Sequence, residues 1–386
     1  MKIVIFADMT KNFILVLVLG GVALAAPAQE KRSSWFVQAF NTANRWVTAP
    51  KKSLHPDYVY QSPLQWEIAA EGKTIGLRAD LHSDFVITDL TGDKEEIVEG
   101  SLDTGLQNQP YWKLGLAAGY GSLRLGYGID LAKKKGSKNR YFSLGTNSSF
   151  YGAEIQYYKI HQNPTGTLFI EGLSPVDLSS DLPGEMRIFS LDGYYAFNRH
   201  KFVFNAAYSG RNLQRRSAGS AVVIAKYLQG DFSVNENDTI WNDLGDLQRY
   251  TTQQISVGGG YSFNWVLLHR DPSDPKTEVG LRNLTVNATA LPMLSFFNHI
   301  QTEQETDDGI VRIRYNGRPA FSPTLRGSLC YTGGRIRALV GIYYDYFGFQ
   351  GIETTTSERQ GKLRTEVKTN GTFSDLTVAA KVSVRF

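Results

Sequence analysis

Leu376-Thr377-Val378-Ala379-Ala380-Lys381-Val382-Ser383-Val384-Arg385-Phe386 closes the chain, and its reading decides how everything before it is read. Leu376, Val378, Ala380, Val382, Val384 and Phe386 share one face, while Thr377, Ala379, Lys381, Ser383 and Arg385 share the other. A period of two without an error is the pattern of a strand with one apolar and one polar side. Such a strand can edge a soluble sheet or complete the wall of a β-barrel in a membrane. The remaining sequence has to choose.

Composition narrows the choice. Apolar residues make up 42% of the 386, charged residues 20%, and Gly, Phe and Tyr number 37, 21 and 20. Beyond the amino terminus no run approaches the roughly 18 uncharged apolar residues that a membrane helix needs. Abundant glycine and aromatics suit many short strands joined by turns and argue against a disordered chain. The net charge of +4 is spread among interleaved acids, which excludes the one-sided basic face of a nucleic-acid binder. Cys330 is the single cysteine, so neither an intramolecular disulfide nor a thiolate metal cluster can form. Between Leu329 and Tyr331 it reads as an inert small side chain.

The amino terminus has the pattern of a secretory signal. Lys11 precedes an apolar run from Phe13 to Ala26, and Ala26-Pro27-Ala28 is a small-x-small cleavage pattern. Residues 1–28 are therefore expected to be a signal peptide, with Met9 as the biological start and Gln29 as the first mature residue. No cysteine adjoins the cleavage pattern, so no lipoprotein anchor is expected. Residues 29–72 are read as a periplasmic segment. Trp35, Phe36, Ala39, Phe40, Ala43, Trp46 and Val47 recur at helical spacing, which predicts one short amphipathic helix ended before Pro50. It could lie on the membrane surface, but Arg45 is the one basic residue of its polar face, which favours a place against or inside the barrel.

From residue 73 onward the period is two. Ile75, Leu77, Ala79 and Leu81 alternate with Gly76, Arg78, Asp80 and His82. Trp112, Leu114, Leu116, Ala118 and Tyr120 alternate with Lys113 and small residues, and Gly119-Tyr120-Gly121 forms a hairpin turn. Further strands are predicted at 122–131, 141–146, 151–158, 186–197, 202–209, 220–228, 253–263, 278–291, 319–331, 335–346 and 373–386. Aromatics such as Trp112, Tyr120, Tyr141, Tyr151, Tyr344 and Tyr346 fall at strand ends, as the interfacial girdles of a membrane barrel require. Joints at 147–150, 198–201 and 332–334 are short, whereas 84–109, 159–185, 231–251, 298–318 and 347–370 are long and polar. That asymmetry is the one of outer-membrane barrels, with turns in the periplasm and loops outside. Counting from both ends clashes between 202 and 252, so one candidate there is surplus. The expected fold is an all-β, transmembrane, antiparallel up-and-down β-barrel over 73–386, with about 12 strands, or 14 as the other even count.

Three segments carry a family resemblance: 110–130 (PYWKLGLAAGYGSLRLGYGID), 215–220 (RRSAGS) and 258–266 (GGGYSFNWV). With them the chain resembles an uncharacterised family of unknown function, made of secreted Gram-negative proteins regarded as outer-membrane β-barrels. The resemblance implies an outer-membrane location and supplies no catalytic residue. The closing strand likewise resembles the last strand of such barrels, and Val382, Val384 and Phe386 would form the signal that the barrel-assembly machinery recognises.

Motifs for chemistry are scarce. There is no HExxH, Walker loop or CxxC, and the glycines of 119–128 alternate with strand residues without a helix after them. His82 is the one histidine on a strand's polar face, and a barrel hydrolase would need a serine and an orienting group beside it. The polar faces are expected to line the lumen with Arg78, Asp80, His82, Lys113, Arg124, Asp130, Glu154, Arg187, Lys226, Arg326, Arg335, Arg337, Lys381 and Arg385. With bases in excess, this set suits either a narrow, anion-preferring pore or a lumen filled by ion pairs. In the loops, Lys133, Lys134, Lys135, Lys138 and Arg140 could meet lipopolysaccharide phosphates, and Glu303, Glu305, Asp307 and Asp308 could hold a calcium ion. Neither a cofactor nor a resident metal is expected. The sequence thus points to a monomeric barrel serving as narrow pore, small-solute binder or structural surface protein, with a lipid-modifying enzyme or a loop-mediated binder as alternatives.

Overall fold

The computed structural model describes residues 54–89, 96–107, 112–130, 139–180, 182–208, 212–233, 235, 247–306, 309–357 and 363–386. The expected signal peptide and the 35–47 helix lie outside them. The strands are β1 (Val59–Gln61), β2 (Trp66–Asp89), β3 (Glu96–Gln107), β4 (Trp112–Tyr120), β5 (Leu123–Asp130), β6 (Arg140–Asn147) and β7 (Tyr151–Gln162). They continue with β8 (Pro164–Ile170), β9 (Val176–Asp177), β10 (Gly184–Ala196), β11 (Asn212–Gln214), β12 (Ala218–Ser233) and β13 (Leu247–Arg270). The last are β14 (Arg282–Leu291), β15 (Met293–Thr306), β16 (Gly309–Gly317), β17 (Ala320–Phe321), β18 (Thr324–Gly333), β19 (Ile336–Ser357) and β20 (Leu363–Arg385).

Antiparallel pairing runs from β2 through β4, β5, β6, β7, β10, β12, β13, β14, β18, β19 and β20, and β20 pairs with β2. The wall is therefore closed and has twelve crossings, the lower of the two expected counts. Several crossings are assembled from more than one strand. β14 pairs with the second half of β13 and β15 with the first half, so the two form one crossing interrupted at Pro292. Proline has no N–H to give the ladder. Pro319 and Pro323 divide β16, β17 and β18 in the same way, and β3 continues into β4 beside β2. β8 continues past β7, above the short β5–β6 hairpin, and pairs with β3.

The surplus strand of the sequence count is 202–209. Residues 202–208 contain no strand, with turns over 204–208, and every one is buried. A wall strand must leave one face to the surroundings, and Phe202-Val203-Phe204-Asn205-Ala206-Ala207-Tyr208 leaves none. The wall also begins earlier than expected, at Trp66 rather than residue 73. Much of the segments read as loops, including Glu96–Gln107 and parts of 298–318 and 347–370, is strand.

Register assigns the faces. On β20, Leu376, Val382 and Val384 are exposed, while Thr377, Ala379, Lys381, Ser383 and Arg385 are buried inside. Ile68 and Ile336 flank Val384, and Gly76 and Tyr344 flank Leu376, so these residues bound an outward apolar belt. Its height, from Trp66 to Gly76 on β2, matches the roughly 9–11 residues of a membrane crossing. Leu116 (69% exposed), Leu125, Val257, Leu329 and Val340 continue it around the wall. β2, β13, β19 and β20 are 24, 24, 22 and 23 residues long. Half of each rises beyond the belt, away from the end that holds Trp66 and Phe386.

Past the belt the alternation keeps its parity but inverts its chemistry. Ile75, Leu77, Ala79, Tyr141, Tyr158, Ile160, Met186, Ile188, Leu228, Phe232, Phe347 and Phe373 point inward and form one apolar cluster across the bore. Nearer the termini the bore is stoppered. Residues 202–208 fold inward from the β10–β12 connection, and β1 pairs with β11 beneath them. Asn264 donates to Val203 O at 2.7 Å, Asn283 to Gln214 O at 2.8 Å, and Tyr208 to Asn287. Gln214, fully buried, donates to Lys201 O and Tyr58 O at 2.6 and 3.1 Å and accepts from Val203 N.

The ladder step from β14 to β15 brings backbone against β13. A Cβ on Gly260 would stand 2.0 Å from Ala290 O, whereas one on Gly327 meets only Asn287 O at 4.0 Å. Gly260→Ala is expected to cost about 1–3 kcal/mol, as overpacking does, and Gly327→Ala little. The readout is the temperature at which the folded band is lost on an unheated gel.

Candidate functional site

Between the apolar cluster and the plug lies a polar chamber. Glu71 accepts from Lys73 at 3.0 Å and faces Arg124 at 3.7 Å, and Lys73 also donates to Tyr141 at 2.9 Å. Across the bore, Lys226 joins Asp345 and lies 3.7 Å from Asp192, which is 3.3 Å from Arg326. Toward the termini, Lys381 pairs with Glu67, and Arg385 stands 2.7 Å from Glu278. Arg337 is fully buried, with Thr332 3.5 Å from its Nε and, among the described residues, no hydrogen-bond partner for Nη1 or Nη2. Tyr158, Tyr194, Tyr208 and Tyr343 line the remaining space, in which the centre of a water molecule has about 110 Å³ to move.

Of the residues expected in the lumen, Lys113, Arg124, Glu154, Lys226, Arg326, Arg337, Lys381 and Arg385 face it. Asp130 pairs in register with Lys113, its side chain lying outside the described residues. Arg78, Asp80, His82 and Arg187 are corrections. They lie past the belt on the outward face, because there the inside is apolar and the outside polar. Arg335 is exposed in the turn between β18 and β19, where it donates to Thr277 O. Apart from Glu154, sequence reasoning missed these acids: Glu67 and Glu71 precede the assumed first strand, Asp192 has the parity opposite to Arg187, and Glu278 folds in from a turn. It also missed Asn283, Thr285, Asn287 and Thr289, whose strict alternation was a usable signal for a polar inner face. Cys330 is buried against Ala207 of the plug and Leu339.

The displaced residues assemble a second site. On the outer face above the belt, Arg78, Asp80, His82, Asp103, Tyr346 and Asn370 surround a cleft of about 430 Å³. β3 and β8 complete it with Gly105, Thr165 and Thr167. Arg78 lies 2.5 Å from Asp80, and His82 holds Asp103 at 2.5 Å by Nδ1 and Asp84 at 3.1 Å by Nε2. Hydrogen bonding to Asp103, and then the charges of Asp103 and Asp84, raise the His82 pKa above its ordinary value. The imidazolium contribution is thus full at acid pH and is lost as pH rises through the raised pKa. Both ring nitrogens face carboxylates.

The acidic residues Glu303 and Glu305 belong to β15, and Asp307 and Asp308 lie outside the described residues, as do Lys133, Lys134, Lys135 and Lys138. Among the described residues no group of three His, Cys, Asp or Glu side chains is placed to hold a metal ion.

Lys226 tests the chamber. Lys226→Ala is expected to destabilise the fold by about 3–5 kcal/mol, because Asp192 and Asp345 stay buried without it. Denaturant unfolding in detergent measures it, and a loss below 1 kcal/mol would contradict the coupling.

The solved structures that match the chain do so at low identity. The beta domain of the Bordetella autotransporter Brka is 10% identical, with 81% of this chain and 100% of that one covered and a TM-score of 0.29. The outer membrane protease OmpT from Escherichia coli is 10% identical over 83% and 97%, with a TM-score of 0.28. A Pseudomonas aeruginosa FadL homologue is 9% identical over 82% and 90%, with a TM-score of 0.22. No curated protein matches the chain. A family model does match, over residues 87–318, and the chain belongs to that family, a domain of unknown function (DUF4421).

Proposed function

We propose that this is an outer-membrane surface protein, a barrel with a sealed lumen that works as a binding protein through its extracellular wall. The observation that carries this reading is the double closure of the bore. Twelve apolar side chains meet across it on one side of the chamber, and a hydrogen-bonded plug fills the other. A conducting pore needs a continuous wet path, whereas paired charges filling a narrow lumen suit a structural core.

The outer membrane is the compartment this reading needs. The apolar belt is one crossing high, the closing strand has the form of an assembly signal, and the amino terminus has the pattern of an export signal. The end that holds Trp66 and Phe386 would face the periplasm, and the tall end of the wall would face outside. Binding is favoured over lipid hydrolysis by the doubly engaged His82. Ser179, which also lines the cleft, gives its hydroxyl to Asp177.

Two measurements bear on this. Purified protein in planar bilayers is expected to show no single-channel openings, and steady ohmic steps would overturn the sealed-lumen reading. Phe386→Ala is expected to lower the amount of assembled barrel in outer-membrane fractions without altering the remaining protein's stability, and normal levels would remove Phe386 from the assembly signal.

A further inference from the structure

The outward cleft bounded by Arg78, His82, Asp103, Tyr346 and Asn370 stands where a ligand would be a membrane-surface molecule. It starts one residue pair above the belt, at Arg78 opposite Ser374, and reaches His82 opposite Asn370. From Gly76 to His82 the strand rises about 20 Å along its length at ~3.3 Å per residue. The headgroup layer on each side of the hydrocarbon is only about 5–8 Å deep. The cleft therefore opens at and beyond the headgroups, on the face turned toward neighbouring lipids rather than into the bore.

Its lining has a particular chemistry. The Arg78–Asp80 pair cancels internally, and the His82 charge is shared between Asp103 and Asp84, so no cation is left over to hold a phosphate. The lining presents carboxylate, amide and hydroxyl groups at short range, together with the ring of Tyr346. Gly105 and Gly348 keep the floor low, which lets a ligand reach the edges of the surrounding side chains. Acceptors and donors around a shallow floor suit vicinal hydroxyls, and an aromatic side chain suits the C–H face of a pyranose.

We propose that this cleft binds the uncharged hexose units of the lipopolysaccharide core in the outer leaflet. The proposal rests on the surface-binding reading above and gives it a ligand class. It differs from the expectation for the basic run Lys133, Lys134, Lys135, Lys138 and Arg140, which would engage phosphates.

Core oligosaccharide, released from rough lipopolysaccharide by mild acid and dephosphorylated, provides the probe. It is titrated calorimetrically into the full-length protein in detergent. Saturable binding is expected. Asp103→Asn and Tyr346→Ala should each weaken it by about tenfold or more, as expected for a lost hydrogen bond to a charged group or a lost ring contact. Arg187→Gln, outward but off the cleft, should leave it unchanged, and lipid A carrying its phosphates should not compete. Folding of each variant is checked by the unheated-gel shift. Absence of saturable binding, full retention in both cleft variants, or competition by lipid A would overturn the proposal. Conductance reads the bore and titration reads the wall, so failure of either is told apart from failure of the other.

Discussion

The pairing of β20 with β2 is the constraint on which the rest of the structure depends. In hydrocarbon an unpaired backbone N–H or C=O has no water to turn to, so a sheet survives only if it has no edge. Here the first and last wall strands pair from Glu67 opposite Arg385 to Asp89 opposite Leu363. Trp66 and Phe386 exchange both backbone hydrogen bonds, at 2.9 and 3.0 Å. Closure fixes an even number of antiparallel crossings, and it forces every side chain either into the bore or out of it.

That division creates an electrostatic problem inside. The belt-level bore receives Lys and Arg from β4, β5, β12, β18, β19 and β20, and a buried cation without a counter-charge is costly. Carboxylates are supplied from the same strand, from neighbouring strands and from a turn, as Glu71 is to Lys73 and to Arg124, and Glu278 to Arg385. The chamber becomes a cross-braced core. Arg337 is a fully buried guanidinium whose Nη atoms have no hydrogen-bond partner among the described residues.

Above the belt the solvent outside changes from lipid to water, and the strands respond by exchanging the chemistry of their two faces. The bore gains an apolar cluster resembling the interior of a soluble sandwich, and the outer surface gains Arg78, Asp80, His82 and Arg187. One inversion therefore both fills the bore above the belt with apolar side chains and builds the polar cleft on the wall.

The sequence by itself determined the fold class and the apolar face of the wall, and it narrowed the crossings to an even count of about twelve or fourteen. All three follow from local alternation and from which joints are short, and the closing strand from Leu376 to Phe386 has the faces its period required. It also located the trouble between 202 and 252, although not that 202–208 turn inward, because an apolar run buried on all sides has no period to betray its place. Only the tertiary structure decided which face is inside at each height. Period two separates two faces without naming either, and the name depends on whether lipid, water or a packed interior lies beyond. Arg78 and Lys381 both sit on the polar side of an alternating strand, yet one faces outward and the other the bore.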